Sequence, residues 1–392
     1  MNRMAAELNR SLGFNDLMAF GVASIMGSGG FNLIGNGIVS GGAQFPLALG
    51  TVAALLQGSS VTYHEAYNEF KKNTAESDLI RREFGDLTAS VGSICILLFN
   101  ILSVSTILVL SSKLLFPSGS WSGQVSFALI LLSIITSLSL KGIDANKDFV
   151  KTSGMMVVGL LTFATIIGLV EAGQKFPTEL PKGITGTPDL TKSVLYFFFV
   201  LAGFEALIKF SEEAAQPDKD IPRSFYASNA LALLLTVGIC FSFLVVSSNK
   251  GFSEKENIIA HIVESMLGPQ AGIVTSLISV FLMIVTSFIC FLATTRYMFG
   301  LGKEIPALEA LTELNANKVP WKAVALTTII ASIAILINHV YTLVKISDIV
   351  IIVTLMLVGA AATKMQLDKG KYPVIEGVTT VGLAILLSIC CI

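Results

Sequence analysis

The stretch Phe199-Val200-Leu201-Ala202-Gly203-Phe204-Glu205 puts a glycine and a carboxylate inside an apolar run of membrane-spanning length. Glycine loosens a helix, because its backbone loses more freedom on folding than that of any other residue. A charge near the centre of a bilayer costs about 3 kcal/mol even on lenient insertion scales, so an ionisable residue there marks a functional site by default. A second interruption, Gly27-Ser28-Gly29-Gly30, breaks the first hydrophobic segment. Two broken helices in separate halves of a chain point to the binding site of a secondary transporter.

The rest of the sequence fits that setting. Of 392 residues, 53% are hydrophobic and only 14% charged, against roughly 25% charged in soluble domains. This is the composition of a polytopic membrane protein. The formal net charge of −1 gives nucleic acid nothing to bind. Cys95, Cys240, Cys290, Cys390 and Cys391 fall in apolar stretches without metal-ligand spacing, and read as small buried residues. His64, His261 and His339 form no cluster, so no metal or cofactor is expected, and no nucleophile–base pair suggests an enzyme. The polar, basic stretch from Met1 to Ser11 is not followed by a cleavable signal peptide.

About 20 residues of helix cross a hydrocarbon core roughly 30 Å thick. On that ruler the sequence predicts spans near 13–39, 43–68, 87–111, 123–140, 150–171, 191–211, 225–247, 270–297, 321–338, 341–363 and 374–391. The fold class is therefore all-α integral membrane protein, about eleven helices in one domain over 1–392. Spans 13–171 and 191–363 can be laid over each other in opposite orientation, each set opening with a broken helix, and 374–391 is an extra helix. With the N-terminus inside, eighteen Lys and Arg fall in inner loops and six in outer ones. That bias predicts a cytoplasmic N-terminus, in the cell membrane. A short surface helix is expected within 256–267.

The two breaks carry the chemistry. If the first helix stops near Met26 and restarts near Gly30, its second half offers unpaired N–H groups and a positive helix end to a carboxylate. The first half offers carbonyls near Ala23, Ser24 and Ile25 to an ammonium group. The competing reading is close helix packing at small residues. At Ala202-Gly203, carbonyls from Phe199 to Leu201 would complete an ammonium site, with Phe199 and Phe204 able to cover a substrate. Glu205 reads either as a structural carboxylate bonded to a neighbouring helix or as a protonatable group held in a desolvated site. Beyond it, Pro217 and Pro222 end one helix and set the entry to the next, among mixed charges suited to gate salt bridges or to a solvated loop.

These residues bring a family into view. Gly203-Phe204-Glu205, Glu212-Glu213, Gln216-Pro217 and Ile221-Pro222-Arg223 resemble the sixth-helix signature of permeases in the amino acid–polyamine–organocation superfamily. Gly27-Ser28-Gly29-Gly30-Phe31 is similar to its first-helix G-S-G-I-F, with Gly30 in place of Ile. Tyr63-His64-Glu65 is similar to its Y-A-E, and Thr295-Arg296-Tyr297-Met298-Phe299-Gly300 with Pro306 to the segment after its eighth helix. The resemblance implies a five-plus-five inverted repeat with an amino acid or polyamine held between the first and sixth helices. It implies that Phe199 is a gating aromatic, Glu205 a conformationally sensitive acid and the first-helix glycine run a carboxylate-binding backbone. With the reading of the breaks, the expected substrate contacts are Ser24, Ile25, Gly27, Ser28, Gly29, Gly30, Phe199, Ala202, Gly203 and Phe204. The chain departs from the pattern at Asn73-Thr74-Ala75-Glu76-Ser77-Asp78, where a glycine- and tyrosine-containing segment is usual. It also carries Val157, with Met156 beside it, where some members place a charge in the fifth helix, and has about eleven spans rather than twelve.

Three further sets of polar residues complete the reading. Lys345 and Asp348 are three apart on the tenth span and are expected to pair. Lys209, one helical turn after Glu205, would pair with it and hold it ionised. Thr286-Ser287 and Thr294-Thr295 would offer hydroxyls to sodium, or bond back to their own helix. The leading function is a secondary transporter of amino acids or related amines, coupled to protons or sodium. The alternative is a non-transporting membrane sensor or scaffold that keeps the same fold.

Overall fold

The computed structural model describes residues 8, 10–29, 31, 33–143, 145–174, 188–250 and 257–390. The helices are α1 Phe14–Gly29, α2 Leu33–Gly41, α3 Phe45–Phe70, α4 Ala75–Phe84, α5 Asp86–Leu115, α6 Trp121–Ser139 and α7 Lys147–Gln174. They continue as α8 Leu190–Leu201, α9 Pro217–Lys250, α10 Ile258–Leu267, α11 Pro269–Glu304, α12 Trp321–Ile335, α13 Val340–Asp368 and α14 Val374–Cys390. A 3-10 segment, Phe204–Phe210, follows α8. Among the described residues, eight stretches are long and apolar enough to cross a membrane, and four apolar helices are shorter. Every span expected from the sequence coincides with one helix or with a broken pair. The short helix expected within 256–267 is α10.

Local chemistry sets the ends. Ser120 caps α6 by accepting a bond from Gly123 N at 3.2 Å, and Asn257 caps α10 by accepting from Ile259 N and Ala260 N. Gly268, at φ 85°, turns the chain from α10 into α11, a conformation that glycine adopts without strain. Pro217 opens α9, where a missing N–H costs nothing. That helix starts eight residues before the expected span, and α11 runs seven residues past its own. In the α11 extension the charges lie on protein partners, Lys303 on Glu212 and Glu304 on Lys72 and Arg81, whereas in the α9 extension only Asp218 is paired among the described residues, with Lys71.

α5 sits at the centre, packed mainly against α11 and α13, while α1 packs against α7, α9 and α11. Hydroxyls and amides on α5 bond back to the preceding turn: Ser93 to Ala89 O, Asn100 to Ile96 O, Ser105 to Ile101 O and Thr106 to Leu102 O. Each polar group is thus satisfied inside its own helix, as a bilayer demands. α14 exposes Val374, Val378, Val381 and Ile385, as suits a lipid-facing surface. One helix was not expected: the polar stretch 73–78 leads into α4, and Asn73, Thr74, Glu76, Ser77 and Asp78 are all buried.

Candidate substrate site

The second break falls where the sequence puts it. α8 ends at Leu201, Ala202 is extended at φ −73°, ψ 166°, and Gly203 adopts φ 109°. A side chain at Gly203 would be strained by that φ and would place its Cβ 2.8 Å from the carbonyl oxygen of Ser24. The Ser24 hydroxyl donates to Gly203 O at 3.0 Å and to Gly21 O at 2.9 Å. The two broken elements therefore meet backbone to backbone, and only glycine permits the approach.

The first break lies further along than expected. α1 continues to Gly29 and the next helix opens at Leu33, so the carbonyls of Ala23, Ser24 and Ile25 lie within α1 rather than at its end. Helical hydrogen bonding outlasts the first glycines because α1 is buttressed on its buried side. Thr286 on α11 donates to Ala23 O at 2.9 Å as well as to Leu282 O at 3.1 Å, and Gly27 faces the Thr286 side chain with no room for a Cβ. Ile25 is buried. Ser28 and Gly29 belong to α1 by backbone, and Gly30 lies outside the described residues.

Glu205 is buried, and its Oε2 accepts a bond from Gly203 N at 3.1 Å. Its Oε1, the Tyr63 hydroxyl and the Ser287 hydroxyl are buried without a hydrogen-bond partner among the described residues. Glu205 lies within electrostatic reach of the Tyr63 hydroxyl on α3 and the Cys290 thiol on α11. The acid is therefore flanked by α3 and α11. Phe204 is buried and meets Tyr63 and Phe225 edge-on, with ring centroids 5.7 Å apart in each case. Phe199 and Ala202 are buried beside the break.

Lys209 does not pair with Glu205. Its ammonium forms an ion pair with Glu76 of α4 and lies 4.1 Å above the centre of the Tyr297 ring, and both charged side chains are 0% exposed. The winding explains the change of partner. In an α-helix, residues four apart lie nearly in line, whereas a 3-10 segment turns about 120° per residue and sends the fourth residue to another face. Ser77, next to Glu76, hydrogen-bonds to the Tyr297 hydroxyl and to Ser93.

Further ion pairs close the same face of the molecule. Arg296 holds Glu213 through two bonds, Nε at 3.1 Å and Nη2 at 3.0 Å, with both residues buried. Lys303 pairs with Glu212 at 2.7 Å and Lys71 with Asp218 at 3.1 Å. Glu304 accepts from Thr74, Lys72 and Arg81. Burial, and then the nearby Glu304 carboxylate, push the Asp78 carboxyl above its ordinary range, against the pull of Lys72 and Arg81. The N-terminal segment adds a bridge, with Ser11 N and Leu12 N donating to Glu213 O and Ala215 N to Leu12 O. Of the mixed charges after the break, Glu212, Glu213 and Asp218 thus form salt bridges, while Lys219, Asp220 and Arg223 form none among the described residues. Arg296→Lys keeps the charge but loses the two-bond fork. The expected result is a loss of about 1–3 kcal/mol, measured as a lower thermal midpoint of the solubilised protein.

Sequence reasoning missed Glu76 and the Arg296–Glu213 fork as site components. Glu76 had only a negative signal, since the 73–78 stretch departs from the family pattern, whereas Arg296 and Glu213 each stood in a motif whose spacing in the chain could not join them. The expected Lys345–Asp348 pair is also absent. Lys345 is half-buried, and its long side chain reaches a partly exposed position. Asp348 is fully buried, and among the described residues neither of its carboxylate oxygens has a hydrogen-bond partner.

Comparison with known proteins agrees with this architecture. The chain is 21% identical to a branched-chain amino acid permease of Bacillus subtilis over 342 residues, 81% of this chain and 72% of that protein. It is 23% identical to cationic amino acid transporter 1 of Arabidopsis thaliana, over 62% of this chain and 43% of the transporter. It is also 23% identical to a methylthioribose transporter of Bacillus subtilis, over 59% and 54%. A family model described as amino acid permease matches residues 12–392, nearly the whole chain, and the protein therefore belongs to the amino acid permease family.

Proposed function

We propose that this membrane transporter moves amino acids or related amines by alternating access, with its substrate at the junction of the two breaks. The observation that carries the reading is the Ser24–Gly203 contact, where two interrupted elements from opposite halves of the chain meet. Unpartnered Tyr63, Glu205 and Ser287 polar atoms lie on the surrounding elements. Spans 13–171 and 191–363 act as inverted repeats in this reading. The N-terminus is cytoplasmic, so the ion pairs of Lys209, Arg296 and Lys303 hold the cytoplasmic side closed and must separate for release. Relatives named for branched-chain and cationic amino acids and for methylthioribose leave the side-chain preference open to direct assay.

With Lys209 held by Glu76, Glu205 has no cation to keep it ionised and serves as a gating acid beside the substrate. Thr286, bonded to Ala23 O, and Ser287 are the hydroxyls that a coupling sodium ion would use. The test is uptake and exchange in proteoliposomes across amino acids and polyamines, with pH and sodium gradients imposed independently. The expected result is flux of at least one substrate, with a changed pH dependence in Glu205→Gln. Thermal stabilisation by a panel member without any flux would support a sensor or scaffold instead.

A further inference from the structure

Asp348 lies eight residues into α13, about 12 Å along the helix axis at 1.5 Å per residue. It is 0% exposed, and both of its oxygens lack a hydrogen-bond partner among the described residues. Its place on the helix can be read from its neighbours. Tyr341, seven residues earlier and so on nearly the same edge, meets Tyr196 of α8 with ring centroids 6.0 Å apart. Gly359, eleven residues later and again near that edge, faces Thr380 of α14. Asp348 therefore sits on the edge of α13 lined by α8 and α14. α8 is the half-helix that ends at the Gly203 break, the part of the fold that any movement at the break must carry.

Among the described residues, the one cation this edge receives from α8 is Lys192, whose ammonium lies 5.7 Å over the Tyr341 ring, about two helical turns from Asp348, and it forms no ion pair with that carboxyl. α8 also contributes Asp189 at its start and the Tyr196 phenol, and α14 the buried Cys390 thiol and Glu376 opposite Gly359. α3 has no ionisable residue from Phe45 to Thr62, and α5 has only Cys95 between Asp86 and Lys113. α4 packs against α13 near the opposite end. On α13 itself, Lys345 is half-buried and makes no ion pair with Asp348. An ionised carboxylate in such a setting would have neither counter-ion nor donor, a state whose desolvation cost drives neutralisation instead.

We propose that Asp348 is a proton-binding site of the transport cycle, carrying its proton while α8 is packed against α13 and yielding it to water when that seam opens. The step is an acid dissociation: the O–H bond of the carboxyl breaks, and the proton passes to water on the side to which the seam opens. The transport role rests on the alternating-access reading above, whereas the bound proton itself does not.

Two measurements test the proposal, and the first needs no transport. Infrared spectra of the purified protein near neutral pH should show a carbonyl band of a protonated carboxylic acid that shifts in deuterated water. The band should vanish in Asp348→Asn and persist in Glu205→Gln. An unchanged band in Asp348→Asn overturns the proposal. The second uses proteoliposomes with labelled leucine and labelled arginine under a gradient of about one pH unit, which supports up to roughly tenfold accumulation in a one-to-one proton symporter. Asp348→Asn, the same shape as the neutral acid, should equilibrate its substrate without accumulating it while retaining exchange. Wild-type-like accumulation in that variant, or loss of exchange together with accumulation, overturns the coupling role. If the wild-type protein moves neither substrate, the transport reading is what has failed for these substrates, and the infrared band alone decides whether Asp348 binds a proton.

Discussion

Gly203→Leu abolishes transport while the protein still inserts and folds in the membrane. Gly203 has φ 109°, and its Cβ would stand 2.8 Å from Ser24 O. A left-handed backbone costs a residue with a side chain about 1–2 kcal/mol, and forcing extra atoms into a packed contact adds about 1–3 kcal/mol. Together they disfavour the meeting of the two breaks by roughly thirty-fold to several-thousand-fold. The cost falls on one contact, because the flanking helices pack elsewhere through long apolar faces. The check is uptake in proteoliposomes alongside surface expression and a monodisperse elution profile. Normal flux in Gly203→Leu removes the basis for placing substrate at this junction.

Lys209→Met has the second large effect, on stability. The ammonium and the Glu76 carboxylate are both fully buried, so deleting one strands the other. Breaking a buried pair from one side costs about 3–5 kcal/mol, whereas replacing both partners with neutral groups is often tolerated. Lys209→Met and Glu76→Gln are each expected to lower the thermal midpoint sharply, and the double variant to recover most of the loss. The coupling energy from the four proteins should be about 2–3 kcal/mol. Additive losses would show that the two charges do not depend on each other. In the double variant, faster release to the cytoplasmic side would follow from the cytoplasmic-closure reading, because a neutral contact separates more easily than a buried ion pair.

Much of this architecture was legible in the sequence because a bilayer imposes simple rules. Apolar runs of sufficient length become helices, since no other open structure satisfies the backbone in lipid. All eleven expected segments accordingly coincide with helices, and the Ala202-Gly203 break falls within one residue of its expected place. Boundaries were less legible where protein partners replace water. α11 outruns its apolar stretch with its terminal charges paired, as with Lys303 and Glu212, and α9 starts early at Pro217, a residue suited to the first turn of a helix. The first break shifted because Thr286, 263 residues away in sequence, bonds to Ala23 O and braces α1.

Ion-pair partners were the least legible. Sequence spacing favoured Lys209 with Glu205 and Lys345 with Asp348, because both pairs lie about one α-helical turn apart. The first failed because the residues after Gly203 wind as a 3-10 segment, and the second because a long lysine side chain can leave a buried aspartate behind. Glu76 is 133 residues from Lys209, and periodicity cannot join residues at that range.

The sequence by itself determined the membrane class, the number and order of the spans and the glycine that must lie at the second break. These follow from hydrophobic length and from backbone dihedrals, both of which are local. Only the tertiary structure decided which charges meet, which carboxylates are left without partners and where the first break ends. Those depend on which helices are neighbours, and in a bundle whose helices share one apolar composition, contacts across the fold settle that.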